Sequence, residues 1–163
     1  MPEKDLDTIV FRELSAEILK KGHVLRFQAR GISMHPFIKD RDVIKVKPVG
    51  LEDVKSGDIV FYMSKNKNFI AHRLIKKIKD KNNDGKLLLV TKGDSCTGFD
   101  AALSPSQVLG KVISIERDGK EISMEKGISK LQNFLLSKAS PFSFILYPIG
   151  RKVKKIGLAI LRR

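Results

Sequence analysis

A serine, a histidine and two aspartates in this chain are of the types that carry out nucleophilic catalysis. Ser33 lies in the turn-like segment GISMHP, and a serine hydroxyl is a weak nucleophile unless a base takes its proton and donors stabilise the oxyanion. His72, in FIAHRLI, is the candidate base, because an imidazole exchanges protons near neutral pH. Asp94 and Asp100 flank the loop GDSCTGFD, and either carboxylate behind the imidazole would fix its tautomer.

Each of these residues also has a purely structural interpretation. A serine between a glycine and a proline is usually a turn residue, and loop aspartates usually serve turns. A histidine among the apolar residues of one strand face is more often a core residue than a catalyst. Taken one at a time, the four residues leave both interpretations open.

The elements that would position these residues are predicted from the period of the apolar residues. Apolar residues at helical spacing, followed by Gly22, predict a helix over residues 5–21. From Val24 the period changes to two, and Asn82–Gly85 has the composition of a hairpin turn. Strands are predicted at 25–30, 43–49, 59–63, 69–78, 87–91, 109–117 and 121–124. So many short strands and tight turns predict a mainly β domain with a closed or folded-over sheet.

The charge of the chain is strongly positive, with a formal net value of +14. Residues 128–163 contain no acid, and within 151–163 three apolar residues share one helical face between six cations. This pattern predicts a basic amphipathic C-terminal helix that binds an anionic membrane surface, or one that packs on its own domain. Trp is absent and Tyr occurs twice, so platforms for base stacking are few and we expect no nucleic-acid partner.

Cysteine and long apolar stretches are scarce. The single cysteine, Cys96, excludes an internal disulfide and cannot form a zinc site by itself. We expect no metal and no cofactor. No stretch of roughly 20 uninterrupted apolar residues is present, so no ordinary transmembrane helix is expected. The expected location is the cytoplasm, in solution or on the membrane face.

Four motifs, taken together and in order, resemble those of the signal peptidase I family. SMHP matches the family's Ser-Met-x-Pro nucleophile motif, and SGDIVFY its Gly-Asp-hydrophobic strand. AHRLI matches the motif of the base, TKGDSCTGFD the following Gly-Asp motif, and LGKV the closing strand. The resemblance covers roughly residues 25 to 115. Many bacterial members and the related LexA-like self-cleaving repressors use lysine as the base, whereas histidine here resembles the archaeal and endoplasmic-reticulum type.

The resemblance implies a fold and a set of roles. It implies a signal-peptidase/LexA-like folded β-sheet domain over residues 1–127, followed by an extension at 128–163. Ser33 would be the nucleophile, His72 the general base and Asp100 its partner, with Asp94 as the alternative. The Ser33 backbone amide would bind the oxyanion, and Met34 and Ile32 would contact the substrate. That substrate would be a signal or leader peptide, or a preprotein, with small residues before the scissile bond.

Three departures from the family pattern keep other hypotheses open. Gly31 stands where many members carry a serine that assists the oxyanion, and Asp40-Arg41-Asp42 replaces a Gly-Asp pair. The membrane anchor expected of a signal peptidase is not found. The alternative hypothesis is therefore a catalytically inactive module of the same fold that binds peptides without cutting them. A third, DNA binding as in the repressors, rests on charge alone.

Overall fold

Seven strands form one antiparallel sheet, and a helix precedes them in the chain. The computed structural model describes residues 3–80 and 85–125. In chain order the elements are α1 (Glu3–Lys20), β1 (Leu25–Gln28), β2 (Val43–Lys47), β3 (Ile59–Met63), β4 (Phe69–Lys79), β5 (Leu87–Lys92), a 3₁₀ turn (Pro105–Gln107), β6 (Val108–Arg117) and β7 (Lys120–Ser123).

The sheet order is β1-β2-β6-β3-β4-β5, and β7 pairs with β6 beside this path. β3 therefore lies between β6 and β4, at the centre of the sheet. The register of β3 and β4 places Val60 opposite His72 and Ile59 opposite Arg73. This pairing fixes the position of the candidate base.

Apolar residues are packed on both faces of the sheet. Residues 59–62 of β3 are all at most 1% exposed, and successive residues of a strand point to opposite faces. Ile59 and Phe61 belong to one core, and Val60 and Tyr62 to the other. The first core also contains Met34, the residue after the candidate nucleophile. The candidate site is thus built onto the buried centre of the fold.

Helix α1 begins two residues earlier than predicted and ends at Lys20. The face that it buries is not the face that carries the regularly spaced apolar residues. Leu19 is 2% exposed and packs in the first core, and Ser15 is buried beside it. Val10 and Leu14, whose spacing indicated the helix, are each 55% exposed. The helix therefore presents apolar side chains to solvent.

The prediction of a mainly β domain is confirmed. β3 coincides with its predicted range, and β1 and β2 each end two residues earlier than expected. β2 ends before Pro48, which has no backbone N–H for the ladder. The predicted C-terminal helix and the extension at 128–163 lie outside the described residues, as do residues 82–84 of the predicted hairpin turn.

Candidate active site

The turn that carries Ser33 leaves the sheet after β1 and is held by backbone hydrogen bonds. The amide of His35 donates to the carbonyl of Ile32 at 3.0 Å, and the amide of Phe37 to that of Met34 at 2.9 Å. Gly31 has φ of +96°, and its amide donates to Asp40 Oδ1 at 2.8 Å. Because side-chain-bearing residues rarely adopt such a φ, a serine at this position would strain the turn. The backbone conformation thus explains why glycine, and not serine, occupies position 31.

Ser33, His72 and Asp100 lie in a hydrogen-bonded row. His72 Nε2 is 3.0 Å from Ser33 Oγ, and His72 Nδ1 is 2.7 Å from Asp100 Oδ2. His72 itself is 8% exposed, so little water competes for these contacts. A hydroxyl, an imidazole and a carboxylate in this order can take a proton from the serine and stabilise the resulting imidazolium.

The carboxylate of Asp100 is kept ionised by its neighbours. Burial alone would raise the pKa of Asp100, but hydrogen bonds from His72 and Thr91 outweigh it, and the pKa falls below its ordinary value. Thr91 Oγ1 donates to Asp100 Oδ2 at 2.7 Å, and the hydroxyl of Tyr62 lies 3.5 Å from Thr91 Oγ1. Burial raises the pKa of Tyr62, so this hydroxyl stays protonated. Thr91 and Tyr62 therefore support the third member of the row.

The loop 93–100 is hydrogen-bonded directly to the turn that carries Ser33. The amide of Ser95 donates to the carbonyl of Ser33 at 2.9 Å, and Ser95 Oγ donates to the carbonyl of Ile32 at 2.7 Å. A Cβ added to Gly93 would lie 2.7 Å from the Ser33 carbonyl oxygen and 3.2 Å from His72 Nε2. Only glycine therefore allows this loop to approach both residues so closely.

Asp94, the alternative partner of the histidine, contacts Arg73 instead. Arg73 is completely buried, and its Nε and Nη2 donate to the two Asp94 oxygens at 2.8 and 2.6 Å. Arg73 Nη1 donates to the carbonyl of Gly57 at 2.8 Å, and the guanidinium lies 4.8 Å from the centre of the Phe37 ring. This ion pair links β4, the loop 93–100 and the segment after Ser33.

The backbone N–H of Ser33, the candidate oxyanion donor, is held in a fixed orientation. No described residue accepts a hydrogen bond from it, whereas the carbonyl of the same peptide unit, that of Ile32, accepts from both His35 and Ser95. Since C=O and N–H point in opposite directions in a trans peptide, fixing the carbonyl also fixes the N–H. The amide is thus oriented and available.

A cavity of about 540 Å³ opens beside Ser33 and His72. Met34 lines it and is 4% exposed, so this side chain is a wall of the cavity and part of the core. Ile32, the other predicted substrate contact, is 69% exposed and does not line the cavity. Of the two, the structure therefore brings only Met34 to the cavity.

The part of the chain that the structure describes offers neither a reactive thiol nor a set of metal ligands. Burial raises the pKa of Cys96, so its thiol stays protonated and is a poor nucleophile. Residues 3–80 and 85–125 place no three His, Cys, Asp or Glu side chains where they could hold a metal ion. Within the same ranges, no helix is long and apolar enough to cross a membrane.

Three supporting residues were not predicted from the sequence: Arg73, Thr91 and Ser95. Each lies next to, or inside, a motif that was identified, as in AHRLI and TKGDSC. Arg73 and Ser95 contact partners that lie 16 or more residues away in the sequence, and Thr91 contacts Asp100 across one loop. Adjacency to a motif was the only signal available for them.

Comparison with known proteins places the chain in one family. The model of the peptidase S24-like family matches residues 4–113. Comparison with curated proteins and with solved structures gave no match. The matched range covers more than half of the chain and contains Ser33, His72 and Asp100, so the chain belongs to the peptidase S24-like family.

Proposed function

We propose that this protein is a serine endopeptidase that cleaves signal or leader peptides, with Ser33 as nucleophile and His72 as general base. The observation that carries the proposal is the pair of hydrogen bonds on the two sides of one imidazole. They measure 3.0 Å to Ser33 Oγ and 2.7 Å to Asp100 Oδ2. A turn serine or a core histidine would have no need of both partners.

The tautomer of His72 follows from the ionisation of Asp100. The pKa of Asp100 lies below its ordinary value despite burial, because His72 and Thr91 donate hydrogen bonds to it. An ionised carboxylate only accepts hydrogen bonds, so the proton of the neutral imidazole lies on Nδ1. Nε2 then has a lone pair directed at the Ser33 hydroxyl.

The proposed reaction uses this arrangement in two stages. Ser33 Oγ attacks the peptide carbonyl carbon while its proton passes to His72 Nε2, and the carbonyl oxygen becomes an oxyanion near the Ser33 amide. The C–N bond breaks, and the leaving amine takes the proton from His72. Water, deprotonated by the same imidazole, then hydrolyses the acyl-enzyme.

The substrate class rests on the resemblance to signal peptidase I. That resemblance implies small residues before the scissile bond. We propose that the cavity beside Ser33 binds these residues of the substrate. We further propose that residues 151–163 bring the protein to an anionic membrane surface, as their six cations and apolar face support. Sedimentation with vesicles rich in phosphatidylserine, compared with phosphatidylcholine vesicles, tests this part.

Incubation with a synthetic peptide library, read by mass spectrometry, tests the catalytic proposal. The wild-type protein is expected to cut peptides at a defined position, and Ser33→Ala is expected to bind them uncut. Thr97→Ala, which removes an exposed hydroxyl from the same loop as Ser95, is the matched control and should cut normally. Binding without cleavage by the wild-type protein would support the inactive module instead. Loss of intact mass without added peptide would reveal self-cleavage, as in the LexA-like repressors.

A further inference from the structure

Four phenylalanines form a closed ring of aromatic contacts beside the candidate active site. Phe11 contacts Phe27 at 6.3 Å and Phe69 at 6.4 Å between ring centroids. Phe61 contacts the same two rings at 5.2 and 4.9 Å. The interplanar angles of 51° to 72° are those of edge-to-face and tilted packing, which aromatic pairs prefer.

This group of four phenylalanines adjoins the hydrogen-bonded residues Ser33 and His72. All four phenylalanines line the same 540 Å³ cavity as Ser33 and His72. Phe61 is 1% exposed and closes the cavity from the core side. A peptide that lies with its carbonyl against Ser33 would therefore present neighbouring side chains to an aromatic surface.

Phe11 differs from the other three phenylalanines in the element that carries it and in its exposure to solvent. It is the only one of the four on α1, whereas Phe61 and Phe69 lie on the adjacent strands β3 and β4. Phe11 is 46% exposed, whereas its two ring neighbours, Phe27 and Phe69, are partly buried. A phenylalanine that served only to anchor the helix would gain most by full burial. The open face of Phe11 is thus available to a bound chain.

We propose that Phe11 is a specificity-determining residue, through which α1 forms the outer wall of a pocket that selects a bulky apolar side chain of the peptide. The proposal rests on the proposed function, since it concerns the substrate of that site. Leucine, methionine and phenylalanine side chains fit an aromatic wall of this kind, whereas alanine leaves it in contact with water. The small residue at the scissile bond would occupy the part of the cavity nearest Ser33.

The test measures peptide binding, so that it does not depend on cleavage. A synthetic peptide library is captured on the full chain carrying Ser33→Ala, and the retained peptides are sequenced. Pairs of peptides that differ only by Leu or Ala at the selected position are then titrated by fluorescence anisotropy. The titration is repeated with Phe11→Ala, Phe11→Leu and Leu14→Ala added separately to Ser33→Ala. Leu14 is the matched control, because it is an exposed apolar residue of α1 that does not line the cavity.

One position in the retained peptides is expected to be enriched in bulky apolar residues. Phe11→Ala should reduce the preference for Leu over Ala by about fivefold or more, Phe11→Leu by less, and Leu14→Ala should leave it unchanged. An unchanged preference in Phe11→Ala, or no bulky preference at all, would overturn the proposal. So would an equal loss of both peptides, which is the signature of a structural role. Fluorophosphonate labelling of Ser33 in the otherwise wild-type chain reports separately on the proposed catalysis.

Discussion

Ser95 donates its hydroxyl hydrogen to the carbonyl oxygen of Ile32 at 2.7 Å, and so fixes the peptide unit whose N–H belongs to Ser33. In the proposed reaction this N–H donates a hydrogen bond to the oxyanion. Gly31, which replaces a serine that assists the oxyanion in many signal peptidases, brings no side-chain donor. The orientation of the Ser33 amide therefore depends on a neighbouring loop.

Replacing Ser95 tests this dependence. Ser95→Ala should lower kcat by about tenfold and leave KM nearly unchanged, because an oxyanion donor acts mainly in the transition state. Ser95→Thr keeps the hydroxyl and should restore most of kcat. The measurement is steady-state kinetics on a peptide that the wild-type protein cuts. A rise in KM with unchanged kcat would show that Ser95 affects substrate binding instead.

Gly93 is expected to tolerate no side chain. Gly93→Ala places a Cβ 2.7 Å from the Ser33 carbonyl oxygen, so the nucleophile turn or the loop must shift. A displacement of about 1 Å at a catalytic group can lower the rate by about 10²-fold, and a loss of this size is expected in kcat/KM. Gly98→Ala is the control in the same loop, since a Cβ there meets no atom within 4 Å. Equal activity of the two variants would contradict the close approach.

Asp100 is expected to control the tautomer of His72. An amide in place of the carboxylate can donate to Nδ1, which moves the imidazole proton to Nε2 and removes the base from Ser33. Asp100→Asn should therefore lower kcat by about 10⁴-fold, the loss found for such a change in a serine triad. Asp53→Asn, at an exposed position outside the site, should behave as wild type. Near-normal activity of Asp100→Asn would remove Asp100 from the mechanism.

The prediction from sequence was strongest where a local pattern decides the structure. The run IVFYM after the Ser56-Gly57-Asp58 turn predicted a strand, and β3 has the predicted bounds and is buried on both sides. The spacing of apolar residues also identified α1, but Ser15 and Leu19 form its buried face while Val10 and Leu14 are exposed. Which face of a helix packs depends on the surface it meets, and that surface is assembled from distant strands.

The residues of the candidate site were predicted from the sequence, but the residues that hold them in place were not. The resemblance chose Asp100 over Asp94 as the neighbour of His72, and the structure places Asp100 Oδ2 2.7 Å from its ring. It did not predict that Asp94 pairs with Arg73 or that Ser95 holds Ile32. These contacts join segments far apart in sequence, and no local period encodes them. The catalytic roles themselves remain predictions.

The segment that follows Ser33 should lose stability in acid because of Asp42. Burial alone would raise the pKa of Asp42, but hydrogen bonds from Arg117 and from the Lys39 amide outweigh it, and the pKa is lowered. A carboxylate with a lowered pKa stabilises the fold above its unfolded pKa, near 3.9, and this contribution is lost as the pH falls through the folded value.

Urea unfolding at pH 6 and pH 3 measures this contribution. Asp42→Asn should be less stable than wild type at pH 6, and the difference between the two proteins should shrink at pH 3. Glu13→Gln, at an exposed position of α1, should follow the wild-type pH dependence. A constant difference at the two pH values would contradict the assigned ionisation.

In the proposed reaction His72 activates Ser33, and intact-mass spectrometry after treatment with a fluorophosphonate measures this activation. One adduct is expected, located on Ser33 by peptide mapping and absent in Ser33→Ala. In His72→Ala the adduct should form more slowly by about 10²-fold or more. Absence of an adduct on the folded wild-type protein, or labelling of Ser33 at an equal rate in His72→Ala, would contradict the claim.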